Sequence, residues 1–158
     1  MIPLETGMAA YLDGSIVERL HAAISSGDKV WLAGISLGGL GALLYARAHP
    51  DRVAGLLLLS PFIGTRGTIA GVIAAGGLDA WQPPAEANDE HKLLQWLKAR
   101  RPNIHLGYGE QDRFAASYRL LAGLLPAERV VSVAGGHDWQ TWGVLWDLLL
   151  RKALPAFC

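Results

Sequence analysis

Ten residues constrain this chain more than any others. Val30-Trp31-Leu32-Ala33 is an apolar run of strand type, Gly34-Ile35-Ser36-Leu37-Gly38 sets a single serine between glycines, and a Gly-, Ala- and Leu-rich run of helical character follows. A chain that passes from strand to helix within so few residues strains its backbone at the turn. It also brings strand and helix so close that side chains beside the turn have no room. Gly34 and Gly38, two residues either side of Ser36, are therefore expected to be there for lack of a Cβ. Such a turn lifts the serine hydroxyl clear of the sheet and aims the N-terminus of the helix at any negative charge formed beside it.

The surroundings give the turn its context. The helix after Ser36 is expected to run to about residue 49, where Pro50 stops it, and 53–60 (VAGLLLLS) reads as a second buried strand ended by Pro61. Strand, helix and strand of this length make a βαβ unit, which predicts parallel strands covered on both faces. Further on, 103–108 reads as a third strand, 114–125 as a helix closed by Pro126, and 129–133 as a fourth strand. A last helix carries Trp142, Leu145, Trp146, Leu149 and Leu150 on one side. Upstream, residues 1–14 read as an irregular lead-in, and Ser15-Ile16-Val17-Glu18 reads as a capping box opening a helix to about residue 25. Ile16, Leu20 and Ile24 form its apolar stripe, with His21 beside it as a surface or core-edge histidine. Residues 26–28 read as a turn. Residues 62–101 break the alternation with scattered glycines, Pro83-Pro84 and a short amphipathic helix over 91–100, and read as a small lid-like insertion over the sheet.

The fold class is thus α/β, a mostly parallel sheet flanked by helices on both faces, in a single domain spanning 1–158. Lys plus Arg and Asp plus Glu both number 14, so no basic excess points to nucleic acid or an anionic membrane. No apolar run is long enough for a membrane span and no basic leader opens the chain, which sets cytoplasmic as the expected location. Cys158 is the only cysteine, which fits a reducing compartment and excludes an intrachain disulfide or a multi-cysteine metal site.

Functional groups in an open α/β sheet gather beyond the carboxyl ends of the strands. Ser36 follows the first strand, Asp112 the third (Gly109-Glu110-Gln111-Asp112-Arg113), and His137 the fourth (Gly135-Gly136-His137-Asp138-Trp139). The order Ser, Asp, His over GISLGG, LGYGEQDRF and GGHDWQTW resembles the α/β-hydrolases, and the last motif is similar to small bacterial esterase-type serine hydrolases. The resemblance covers the chain from the helix before the elbow to its end. It implies Ser36 as nucleophile, His137 as general base and then general acid, and Asp112 as the carboxylate that holds the imidazole in its tautomer and stabilises the imidazolium. It also implies the Leu37 N–H as one oxyanion donor, with Gly34 and Gly38 shaping the elbow. Asp138 adjoins His137 in sequence and is poorly placed to face its ring, and Asp79 in the insertion is weaker still.

The implied activity is cleavage of a small carboxylic ester or thioester through an acyl-enzyme, with no cofactor and no metal. The family carries several strands before the elbow, one of them followed by the loop that gives a second oxyanion N–H, whereas about thirty residues precede it here. The chain is thus expected to be of α/β-hydrolase type lacking the early strands, with 30–33 as an exposed apolar edge at which two chains pair as a homodimer. The alternative is a catalytically weak or inactive remnant of such a fold, serving as an interaction or dimerisation module.

Overall fold

A computed structural model describes residues 3–4, 7–24, 27 and 29–153. The four apolar runs form strands β1 (Val30–Ile35), β2 (Val53–Leu59), β3 (Ile104–Gly109) and β4 (Val130–Val133). They pair in parallel in the order β1-β2-β3-β4, so β1 is an edge with one strand neighbour among the described residues. Parallel strands need crossovers, and helices α3 (Leu37–Ala48), α5 (Asp89–Arg100), α6 (Ala115–Ala122) and α7 (Trp139–Ala153) pack on the sheet; α4 (Arg66–Ala74) lies between β2 and α5.

Alternation along the strands sorts the core into two faces. Leu56, Leu58, Ile104, Leu106 and Tyr108 pack under α3, α5 and α6 with Leu43, Leu94 and Leu121. Leu59 and Val131 face α7, meeting Trp142, Leu145 and Leu149. Gly107 lets α7 lie close: a Cβ there would stand 2.9 Å from Leu149 Cδ1 and 3.1 Å from Leu59 Cδ2. Within 62–101, α4 contributes Ile69 and Val72, and α5 contributes Leu93, Leu94 and Leu97, to the same core as the sheet.

Two local expectations are corrected. Residues 1–14 are not wholly irregular, because Ala9–Leu12 forms a short helix, α1, whose Ala10 packs with Ile16 and Leu20 of α2 (Ile16–Ala23). Ser15 precedes α2 but forms no capping box: its backbone (φ −81°, ψ 3°) is not extended as a cap requires, and its hydroxyl accepts from Arg19 Nε at 3.0 Å. The box occurs instead at α5, where Asn88 accepts from the His91 N–H and His91 Nδ1 accepts from the Asn88 N–H. His21 is exposed, stacked on His49 with ring centroids 4.4 Å apart. Of the 26–28 turn only Gly27 is described, and Ser25 and Cys158 lie outside the described residues. Among those residues no helix is long and apolar enough to cross a membrane.

Candidate active site

The elbow is built by contacts a few residues long. Ser36 sits at φ 50° and ψ −112°, the strained conformation expected between β1 and α3. Its N–H donates to Leu59 O and its carbonyl accepts from the Phe62, Gly39 and Leu40 N–H groups, which fixes the turn from both sides. A Cβ on Gly34 would stand 2.3 Å from Gly38 O, and one on Gly39 would stand 2.7 Å from Pro61 Cβ. Strand and helix therefore close upon Gly34 and Gly39. Gly38 departs from the steric expectation, since a Cβ there meets nothing within 4 Å; its side faces the groove beside β1.

The acid and histidine turns are built on each other. A Cβ on Gly109 would meet Gly135 O, so at this point the two loops approach backbone to backbone. The Gln111 N–H donates to Gly135 O at 3.0 Å, and the Gln111 side-chain carbonyl accepts from the Gly135 N–H. Gly135 has φ 150°, and a Cβ on it would stand 2.3 Å from Thr141 Oγ1. That hydroxyl in turn accepts from the Gly136 N–H. Beyond it, Thr141 N–H donates to Asp138 Oδ1 at 2.9 Å, which holds the Asp138 carboxyl below its usual range. Asp138 thus faces α7 and not the imidazole, and Asp79 pairs with Arg101 at 2.7 Å on the surface.

Between these loops three predicted residues meet although Ser36 and His137 are 101 residues apart in sequence. Ser36 Oγ lies 3.0 Å from His137 Nε2, and His137 Nδ1 lies 2.7 Å from Asp112 Oδ2. The hydrogen-bond network assigns the tautomer with the proton on Nδ1, because the carboxylate can only accept and Nε2 must then accept from the hydroxyl. The Asp112 side chain is fully buried. A carboxylate so placed needs donors, and the Phe114 N–H supplies one to Oδ1 at 2.9 Å. The His137 ring is clamped edge-on by Phe114 and Trp142, with centroids 5.5 and 4.9 Å away.

Sequence reasoning passed over three contributors. Tyr118 on α6 donates its O–H to Asp112 Oδ2 at 3.2 Å, and Ser60, buried at φ 45°, lines the crevice beside Ser36. Gln111 staples the two turns. Tyr118 and Ser60 read in sequence as core and strand end, and only the inclusion of Gln111 in the turn motif could have signalled it. The crevice has a volume of about 20 Å³, and Phe62, Ile63, Gly64 and Phe114 give it apolar walls. A larger apolar groove of about 420 Å³ runs along β1, lined by Trp31, Ala33, Gly38, Trp146 and Leu150. Leu37 opens α3 and its N–H makes no hydrogen bond among the described residues, leaving a donor beside Ser36. Hydroxyl, imidazole and carboxylate in this continuous chain can pass a proton from serine to histidine while a nearby N–H receives negative charge.

The family model described as "Putative esterase" matches residues 8–155. Among solved structures, the S-formylglutathione hydrolase of Staphylococcus aureus superposes with a TM-score of 0.54 at 17% identity, covering 91% of this chain and 61% of that one. A ferulic acid esterase gives 0.53 at 18% identity, covering 91% and 59%. The enterobactin esterase of Shigella flexneri gives 0.51 at 23% identity, covering 99% and 40%. These likenesses establish the α/β-hydrolase fold, and the chain spans from two fifths to about three fifths of the length of these structures. A search of curated proteins found no match.

Proposed function

The chain belongs to this esterase family, and on that premise we propose that it is a serine hydrolase cleaving small carboxylic esters or thioesters through an acyl-enzyme. The observation that carries the reading is the unbroken run from Ser36 Oγ to His137 to Asp112 at 3.0 and 2.7 Å, drawn from three separate strand-end loops. Ser36 Oγ attacks the carbonyl carbon as its proton passes to His137 Nε2, and the oxyanion forms against the Leu37 N–H. Collapse expels the alcohol or thiol, which takes the proton from His137. Water then attacks the acyl-enzyme, His137 accepts its proton, and the carboxylic acid leaves with the serine restored. Asp112 holds the imidazole in its tautomer and stabilises the imidazolium. None of these steps calls for a metal or a cofactor.

The apolar walls from Phe62, Ile63 and Phe114 favour a modestly hydrophobic acyl group, and the segment 62–101 serves as the lid on that side. The homodimer forms through the open edge at 30–33, and the single cysteine fits a reducing, cytoplasmic setting.

The deciding experiment is intact-mass analysis after treatment with a fluorophosphonate. One adduct on the parent, absent in Ser36→Ala and slowed at least ~100-fold in His137→Ala, is expected of a base-activated nucleophile. No adduct on folded protein would instead favour an inert fold kept as an interaction module.

A further inference from the structure

Asp112 Oδ2 faces two donors at once. His137 Nδ1 lies 2.7 Å away and Tyr118 Oη 3.2 Å away, on the same oxygen. Tyr118 Oη is also 3.4 Å from His137 Nδ1. That nitrogen carries its proton toward the carboxylate, so the phenol O–H has Asp112 as its acceptor. The phenol is held in place: Tyr118 is 1% exposed, its ring packs on Tyr108 with centroids 5.6 Å apart, and α6 is fixed to the acid turn by the Ala115 N–H on Asp112 O. A buried carboxylate already served by the Phe114 N–H and an imidazole gains a third, neutral donor aimed at the oxygen that serves the histidine.

We infer that Tyr118 is a positioning residue that fixes the Asp112 carboxylate against His137 and, by sharing Oδ2, keeps the imidazole less basic than a bare buried carboxylate would make it. This rests on the reading of Ser36, His137 and Asp112 as a proton-transfer chain. The physical basis is charge sharing. A hydrogen bond donated to Oδ2 disperses negative charge that would otherwise stabilise the imidazolium, so less of the carboxylate's charge acts on His137. Burial first, and then the neighbouring Asp112 charge, push the Tyr118 phenol well above its ordinary range, so it stays a donor wherever the histidine titrates. The other groups near His137 do not compete for this role. Ser36 faces Nε2, Asp138 caps α7, and the Arg113 guanidinium lies over the Phe114 ring at 4.8 Å. Trp142, the facing residue of α7, does not titrate.

The test reads His137 itself. Its pKa is measured by the ¹³Cε1–H NMR titration in the parent, in Tyr118→Phe, and in protein grown with 3-fluorotyrosine, whose more acidic phenol is a stronger donor. The His137 titration should move to higher pH in Tyr118→Phe and to lower pH in the fluorotyrosine protein. Where esters are turned over, kcat of Tyr118→Phe should fall ~10-fold with KM within about twofold, and the acidic limb of kcat/KM should move up with the NMR value. A His137 pKa that stays put or falls in Tyr118→Phe overturns the inference. So does an unmoved or raised value in the fluorotyrosine protein, which also decides the matter should Tyr118→Phe not fold. The titration needs no substrate, so a folded protein without esterase activity would fail the function proposed above while this inference is still decided.

Discussion

The two flanks of the candidate site are built differently. On the β3–β4 side the acid and histidine turns are tied by Gln111 to Gly135 in both directions, by the Glu110 N–H on Val133 O, and by Thr141 under Gly136. On the β1 side the elbow has α3 behind it and β2 as its strand neighbour, with an apolar groove beyond. Ser36 donates its N–H to Leu59 O on β2, and strand alternation then turns the N–H and C=O groups of Ala33 and Ile35 outward. The half of the site proposed to handle the proton is over-determined by hydrogen bonds among its own loops. The half proposed to receive the oxyanion rests on a helix terminus beside a strand that has one strand neighbour among the described residues.

The largest effect should come from breaking the well-tied side at its buried carboxylate. Asp112→Asn keeps the shape but presents an amide where the imidazole needs an acceptor. The rate of fluorophosphonate labelling or ester turnover should fall roughly 10³–10⁴-fold. Asp138→Asn, one residue from His137 in sequence but committed to the start of α7, should stay within about twofold in rate. Because the Asp138 carboxyl is held below its usual range, its contribution to stability is present above the unfolded carboxylate pKa and is lost as pH falls through the folded value. The difference between parent and Asp138→Asn melting temperatures should accordingly narrow below pH 4. Equal rate losses in the two variants would mean that the carboxylates have been assigned the wrong way round.

Much of this arrangement was legible in the chain because its causes are local. The elbow requires small residues within five positions of Ser36, and the loops after β1, β3 and β4 each carry a candidate residue beside turn-forming glycines. The sequence order of Ser36, Asp112 and His137 then limits which loops can meet. What stayed hidden depends on partners far along the chain or on exact backbone angles. Tyr118 looks like any buried aromatic of an amphipathic helix until Asp112 is found beneath its hydroxyl. The cap of α5 uses His91 where Glu or Gln is usual, and Ser15 has the right spacing with the wrong dihedral angles. The glycine pattern makes Gly38 as tight as Gly34, but the close approach falls on Gly39, because what packs there is Pro61 from far along the chain.

That asymmetry among the elbow glycines supplies the second test. In Gly34→Ala the new methyl would lie 2.3 Å from a backbone oxygen and 2.6 Å from the Gly39 nitrogen, and neither atom can yield without moving α3. The expected loss is roughly 3 kcal/mol or more, read from urea unfolding. Gly38→Ala enters open space within α3, where replacing glycine stabilises a helix by about 0.4–1 kcal/mol. A destabilised Gly38→Ala would show that the groove beside β1 is filled in solution, since the groove is the space that methyl would enter.

The smallest effect on the fold, and the sharpest on the open flank, is expected from Ala33→Lys. Ala33 is exposed on β1 and lines the groove, so a lysine there can reach water without disturbing the sheet. Monomer stability should change by no more than about 0.5 kcal/mol. Charge on an edge strand does, however, oppose pairing with another strand. If two copies join through 30–33, sedimentation velocity at micromolar concentration should give a dimer for the parent and a monomer for Ala33→Lys. A parent that sediments as a monomer refutes that pairing. A variant that stays dimeric moves the interface away from β1.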